Sequence, residues 1–150
     1  MAWAGVFQAV NTVALLLWLI LVLAPRWPGV IGQLRIAGAG GLSLFYVVLV
    51  ATALTVGFGG RPGPAPDFTT IAGVRAIFAS DGGVVTGWTH YLALDLFAGL
   101  WIAEDSDARR INRFVQTPIL ALTFLAGPAG LFVHLAMTRG LGLGRKRSAA

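Results

Sequence analysis

An all-helical membrane fold, a bundle of four transmembrane helices, is what this sequence predicts. Three observations carry the prediction. Of the 150 residues 57% are hydrophobic and only 11% are charged, too apolar and too charge-poor for a soluble domain of this length. The apolar residues fall in runs of about 20, the length that crosses a bilayer. Between the runs lie arginines, prolines and glycines, which mark ends and turns.

The first run, span 3–24, carries no formal charge and is closed by Arg26 and Trp27 as interface residues. Met1 reads as the true start, because the run is too long for a secretory segment and no transit segment precedes it. Span 36–58 follows Arg35 and contains Gly38, Gly41 and Ser43, small residues that let helices approach closely. The stretch from Gly59 to Asp67 is too rich in Pro and Gly to continue a helix. Asp67 or Thr69 then caps a short interfacial helix reaching about Ala79, with Ile71, Val74 and Phe78 on one face. After a turn at Ser80–Gly83, span 84–103 holds His90 and Asp95. Span 117–138 holds Pro128 and His134, and Glu104–Arg113 between them reads as a polar loop.

Four such spans make residues 1–150 one integral membrane domain with both termini on the same side. The positive residues divide six against five between the two sides, and the cluster Arg145, Lys146, Arg147 places both termini in the cytoplasm, in a bacterial inner membrane. That cluster lies beside a span and lacks interleaved aromatics, so it reads as an anchor to membrane lipid and nucleic acid is not an expected partner. The glycines at 140, 142 and 144 have no strand before them and read as a flexible tail.

The chemistry is narrowed by what is missing. Cysteine is absent, which removes thiolate metal sites and cysteine nucleophiles. No metal is expected, because His90, His134 and Asp95 lack a ligand spacing, and no cofactor motif is present. Asp95 is the most informative residue. An ionised carboxylate at membrane depth is costly, so it should be buried and either paired or protonated. It lies ~16 Å in from the start of span three, and Pro128 lies ~15 Å in from the far end of an antiparallel span four. A proline there frees the carbonyl of Phe124, which Asp95 or a ligand could meet. Trp88, Tyr91, Asp95, Gly99 and Ile102 share one helical face, with His90 turned away. That face suits a long flat apolar ligand, or alternatively helix packing with Tyr91 bonded to Asp95. His90, His134, Asn11 and Thr55 are expected near one level, as a polar layer that is either structural or a proton relay.

The segment from Gly87 to Gly99, Gly-Trp-Thr-His-Tyr-Leu-Ala-Leu-Asp-Leu-Phe-Ala-Gly, is followed by Trp101. Together with Leu23–Trp27, Gly73–Phe78 and Thr123–Leu131 it resembles the abscisic-acid-deficient-four-like family, which includes the plant neoxanthin synthase proteins. The resemblance covers nearly the whole chain, although Leu100 stands where the family more often has Arg. It implies a carotenoid-linked membrane protein and a redox-neutral isomerisation driven by proton transfer. It further implies Asp95 as proton donor and His90 or His134 as base or relay. Trp88, Tyr91 and Phe97 would line a polyene channel, with Gly99, Trp101 and Pro128 beside it. Two alternatives stay open: a non-catalytic carotenoid-binding or assembly subunit, and a small proton-linked transporter that would need to oligomerise. Oligomers or protein partners are compatible with each reading.

Overall fold

The computed structural model describes residues 3–58 and 66–140, and every element in it is helical. Helix α1 (Trp3–Leu23) ends just before Arg26. Helix α2 (Pro28–Gln33) begins with proline in its first turn, where the missing N–H is harmless. It continues through a π-helical stretch, Leu34–Ala39, into α3 (Gly40–Thr55). Helix α4 (Ile71–Ile77) is short, α5 (Asp81–Ala108) is long, and α6 (Arg113–Leu125) and α7 (Gly127–Leu135) complete the fold, with a π-helical extension Ala136–Gly140. Two helices, Trp3–Leu23 and Pro28–Thr55, are long and apolar enough to cross a membrane.

Several boundaries differ from the expected ones. The second apolar helix starts eight residues before position 36, so Arg35 lies inside it and pairs with Glu104 of α5. Span 84–103 is the middle of α5, which runs on through Ala108 because its acidic end is neutralised by partners. Glu104 meets Arg35, Asp105 meets Arg109, and Asp107 meets Arg26. The expected turn at Ser80–Gly83 is the start of α5, with Ser80 as N-cap accepting from the Gly83 backbone N–H. Thr70, not Asp67 or Thr69, caps α4, accepting from the Gly73 N–H, while Asp67 accepts from the Thr69 N–H and from both threonine hydroxyls. Residues 59–65 of the expected connection, and the glycine-rich tail beyond Gly140, lie outside the described residues.

The largest correction concerns span 117–138. It is no single helix: α6 stops at Leu125, Ala126 is extended, and α7 begins at Gly127 with Pro128 in its first turn. Near the start of α6, Gln116 bonds Asp107; at the end of α7, His134 bonds Asp105, two residues away on α5. A continuous helix would separate Gln116 from His134 by roughly 27 Å. The chain therefore folds back on itself as a helical hairpin. Gly130 seals it, since a Cβ there would strike the backbone and side chain of Thr123 on the opposite arm. In place of one long helix over 117–138 stands a hairpin whose arms, roughly 20 and 14 Å long, are each shorter than a bilayer core of roughly 30 Å.

Helix α5 is the centre, packed against α1, the α2–α3 helix and both hairpin arms. At one end Trp3 meets Phe58 and Phe7 meets Trp88. At the other, the arginine end, Arg26 bonds Asp107, Gln116 and the Ala103 carbonyl, and Arg113 caps the carbonyls of Val22 and Ala24 at the close of α1. The described chain starts at the first end and finishes, after the hairpin, at the arginine end. Trp3 and Gly140, the first and last described residues, lie at opposite ends of the bundle, where a straight helix through 117–138 would have brought them to one end.

Candidate functional site

Asp95 sits midway along α5, 7% exposed, and the hairpin tip is delivered to it. Its carboxyl meets the Tyr91 hydroxyl and the backbone N–H of Gly127, the first residue of α7. Glycine is required there, because a Cβ on Gly127 would fall on the carboxylate itself. The Tyr91 hydroxyl donates to the Leu125 carbonyl at 3.2 Å and accepts from the Gly127 N–H at 3.4 Å. Leu125 and Gly127 flank the break, so the unpaired backbone groups of two helix ends are satisfied by a tyrosine and an aspartate.

One atom of this cluster is left over: Asp95 Oδ2 is buried and has no hydrogen-bond partner among the described residues. The Trp18 indole Nε1–H of α1, in a residue 3% exposed, is orphaned as well. Trp18 meets Phe124 near the tip with the two rings tilted, and its ring fills the space over Gly99 where a Cβ would stand. Below the tip an aromatic strip continues along α5. Tyr91 stacks on Trp88 at 5.5 Å, Trp88 meets Phe7, and the Trp88 indole donates to the Asn11 side chain at 2.9 Å. Trp88 is 38% exposed. Because the hairpin turns back at Asp95, neither of its arms extends alongside this strip.

The remaining sequence candidates are dispersed. His90 is exposed on the opposite side of α5, where its ring meets Tyr46 of α3 at 5.0 Å. His134 is fully buried at the arginine end, 3.0 Å from Asp105 Oδ2 and edge-on to Trp101. Asp105 lies ten residues, roughly 15 Å, from Asp95. The expected polar layer of His90, His134, Asn11 and Thr55 therefore does not form. Phe97 lines a shallow cleft between α3 and α5 with Arg35, Ala39 and Leu94. Pro128 is at the hairpin tip, next to the Gly127 that meets Asp95, and the backbone carbonyl that Tyr91 engages there is that of Leu125. Among the described residues no group of His, Cys, Asp and Glu is arranged to hold a metal ion.

Gly127, Leu125 and Trp18 were not legible as site residues. The signal that could have found the first two is the Gly127-Pro128 pair, a breaker inside an apolar run.

A family model described as ABA DEFICIENT 4-like matches residues 5–134. The chain belongs to the ABA DEFICIENT 4-like family. The matched region takes in α1, the aromatic strip, Asp95 and the hairpin as far as His134, so the whole cluster lies inside the ABA DEFICIENT 4-like region. No curated protein and no solved structure matches the chain.

Proposed function

We propose that the chain is an integral membrane protein in which α1, the Pro28–Thr55 helix and α5 cross the bilayer, the α6–α7 hairpin re-enters from the arginine end, and Asp95 at its tip acts on a carotenoid-type polyene. The supporting observation is Asp95 Oδ2, buried and without a hydrogen-bond partner among the described residues, about one turn along α5 from the Trp88–Tyr91 stack. A long flat ligand would lie from the lipid along those rings, its polar end group reaching the carboxyl. The link of the family to neoxanthin formation gives the ligand class.

The chemistry needs no oxidant. The Tyr91 hydroxyl meets both the Asp95 carboxyl and the Leu125 carbonyl, and the proton to be transferred is carried by the Asp95 carboxyl. Donated to an oxygen on the ring of the ligand, that proton lets a C–O bond open. Return of a proton from the neighbouring polyene carbon to the carboxylate forms a new double bond. The product is an isomer, with atoms and electrons unchanged. His90 and His134 take no part in this step.

The test is the pigment profile of a carotenoid-producing host. Expression of the wild type should change the isomer composition and Asp95→Asn should abolish the change. Identical chromatograms with and without the protein would end the catalytic reading, and pigment that co-purifies without conversion would leave a binding subunit.

A second reading has one observation in its favour: two half-helix ends meet at a buried carboxyl, an arrangement that transporters use at their midplane sites. It requires Asp95-dependent proton flux in pigment-free proteoliposomes.

A further inference from the structure

We infer that the arginine end of the bundle is a docking surface for the anionic lipid headgroups of the cytoplasmic leaflet, which puts the start of α1 and helix α4 on the opposite side of the membrane. The inference rests on the reading that three helices cross the bilayer.

Folding the last apolar segment into a hairpin redistributes the charges. Among the described residues Arg26, Arg35, Arg109, Arg110, Arg113 and Arg139 gather at the arginine end, against Glu104, Asp105 and Asp107. The opposite end has Arg75 against Asp67 and Asp81. Of these seven arginines a four-span chain would divide five against two; the hairpin moves Arg139 across and makes the division six to one, and such an excess of arginine marks the cytoplasmic side. The exposed Trp27 ring beside Arg26 is of the type found at headgroup level.

A second observation points outside the chain. Four of the six arginines are committed to protein partners: Arg26, Arg35, Arg109 and Arg113. Arg110 and Arg139 are exposed and make no ion pair among the described residues. Arg110 also holds the left-handed backbone, φ 57°, at the turn between α5 and α6, a conformation that favours glycine. An arginine kept at a strained position with no partner in the chain fits a partner supplied by the membrane, and a negatively charged leaflet attracts it.

The chain has no cysteine, so single cysteines report cleanly. Ala79→Cys, beyond α4, and Ala108→Cys, at the end of α5, are both at exposed positions. In intact bacterial cells a membrane-impermeant maleimide should label Ala79→Cys, and should label Ala108→Cys only after the membrane is opened. The reverse pattern would overturn the orientation while leaving the three crossings standing. Labelling of both positions from one side would overturn the crossings themselves. In a second arm, Arg110→Glu with Arg139→Glu should lose phosphatidylglycerol counted on the purified protein by native mass spectrometry and should partly lose the protection of Ala108→Cys. If both readouts stay at the wild-type level, the arginines do not hold this end to the leaflet and the inference is wrong.

Discussion

The backbone N–H of Gly127 faces the carboxyl of Asp95 so closely that a single methyl group added at residue 127 would occupy the position of the carboxylate. This contact couples the turn of the hairpin to the middle of α5. Gly127→Ala must therefore push the tip away or rotate Asp95, and overpacking of this kind typically costs about 1–3 kcal/mol. Gly41→Ala is the control, because nothing lies within 4 Å of a Cβ there. The expected outcome is a lowered unfolding midpoint in detergent and a wild-type-like pigment profile lost in the first variant, with neither change in the second.

The same cluster separates Tyr91 from its neighbour in sequence. Tyr91→Phe removes the hydroxyl that joins Asp95, Leu125 and Gly127, and the loss of that bond is expected to cost about 1 kcal/mol. It should also change the isomer profile. His90→Ala removes a ring that meets Tyr46 on the far side of α5 and should leave the profile as it was. A host in which His90→Ala abolishes conversion while Tyr91→Phe does not would reverse the assignment of the site.

How much of this was readable beforehand depends on the kind of signal. Span 3–24 is α1 almost to the residue, because an uncharged run ended by Arg26 and Trp27 leaves little choice. Asp95 stood out for the same reason, as a lone acid in an apolar stretch, and Trp88 and Tyr91 followed from helical spacing. The hairpin was hidden because hydropathy measures only how apolar a segment is, and 117–138 is as apolar folded double as it is straight. Partners across the bundle decide between the two, and Gln116 and His134 reveal theirs only in three dimensions. The ends of α5 failed similarly: Glu104, Asp105 and Asp107 look like loop residues until each is seen beside a cation.

Those ion pairs should differ sharply in worth. Arg26 is held at 8% exposure among Asp107, Gln116 and the Ala103 carbonyl, so Arg26→Gln takes the donor from the side-chain oxygen of the fully buried Gln116 and is expected to cost about 1–3 kcal/mol. Arg35 and Glu104 are both nearly half exposed, and Arg35→Gln should cost no more than about 1 kcal/mol. Chemical unfolding in a mild detergent distinguishes the two. Comparable losses would mean that the Arg26 network is as solvated as the surface pair.

Asp67 gives the pH dependence of α4. Its carboxylate accepts bonds from the Thr69 hydroxyl first, then from the Thr70 hydroxyl and the Thr69 backbone N–H, and these hold it down to about 2 from an ordinary 3.8. A depressed carboxyl stabilises the folded turn fully above the ordinary value and loses that contribution as pH falls towards 2. The protection of the Thr69 and Gly73 amides from hydrogen exchange should therefore be constant at neutral pH and fall progressively below about pH 4. In Asp67→Asn the acid-dependent step should vanish, since the amide has no proton to gain in this range. A step of unchanged size in that variant would show that another group governs the start of α4.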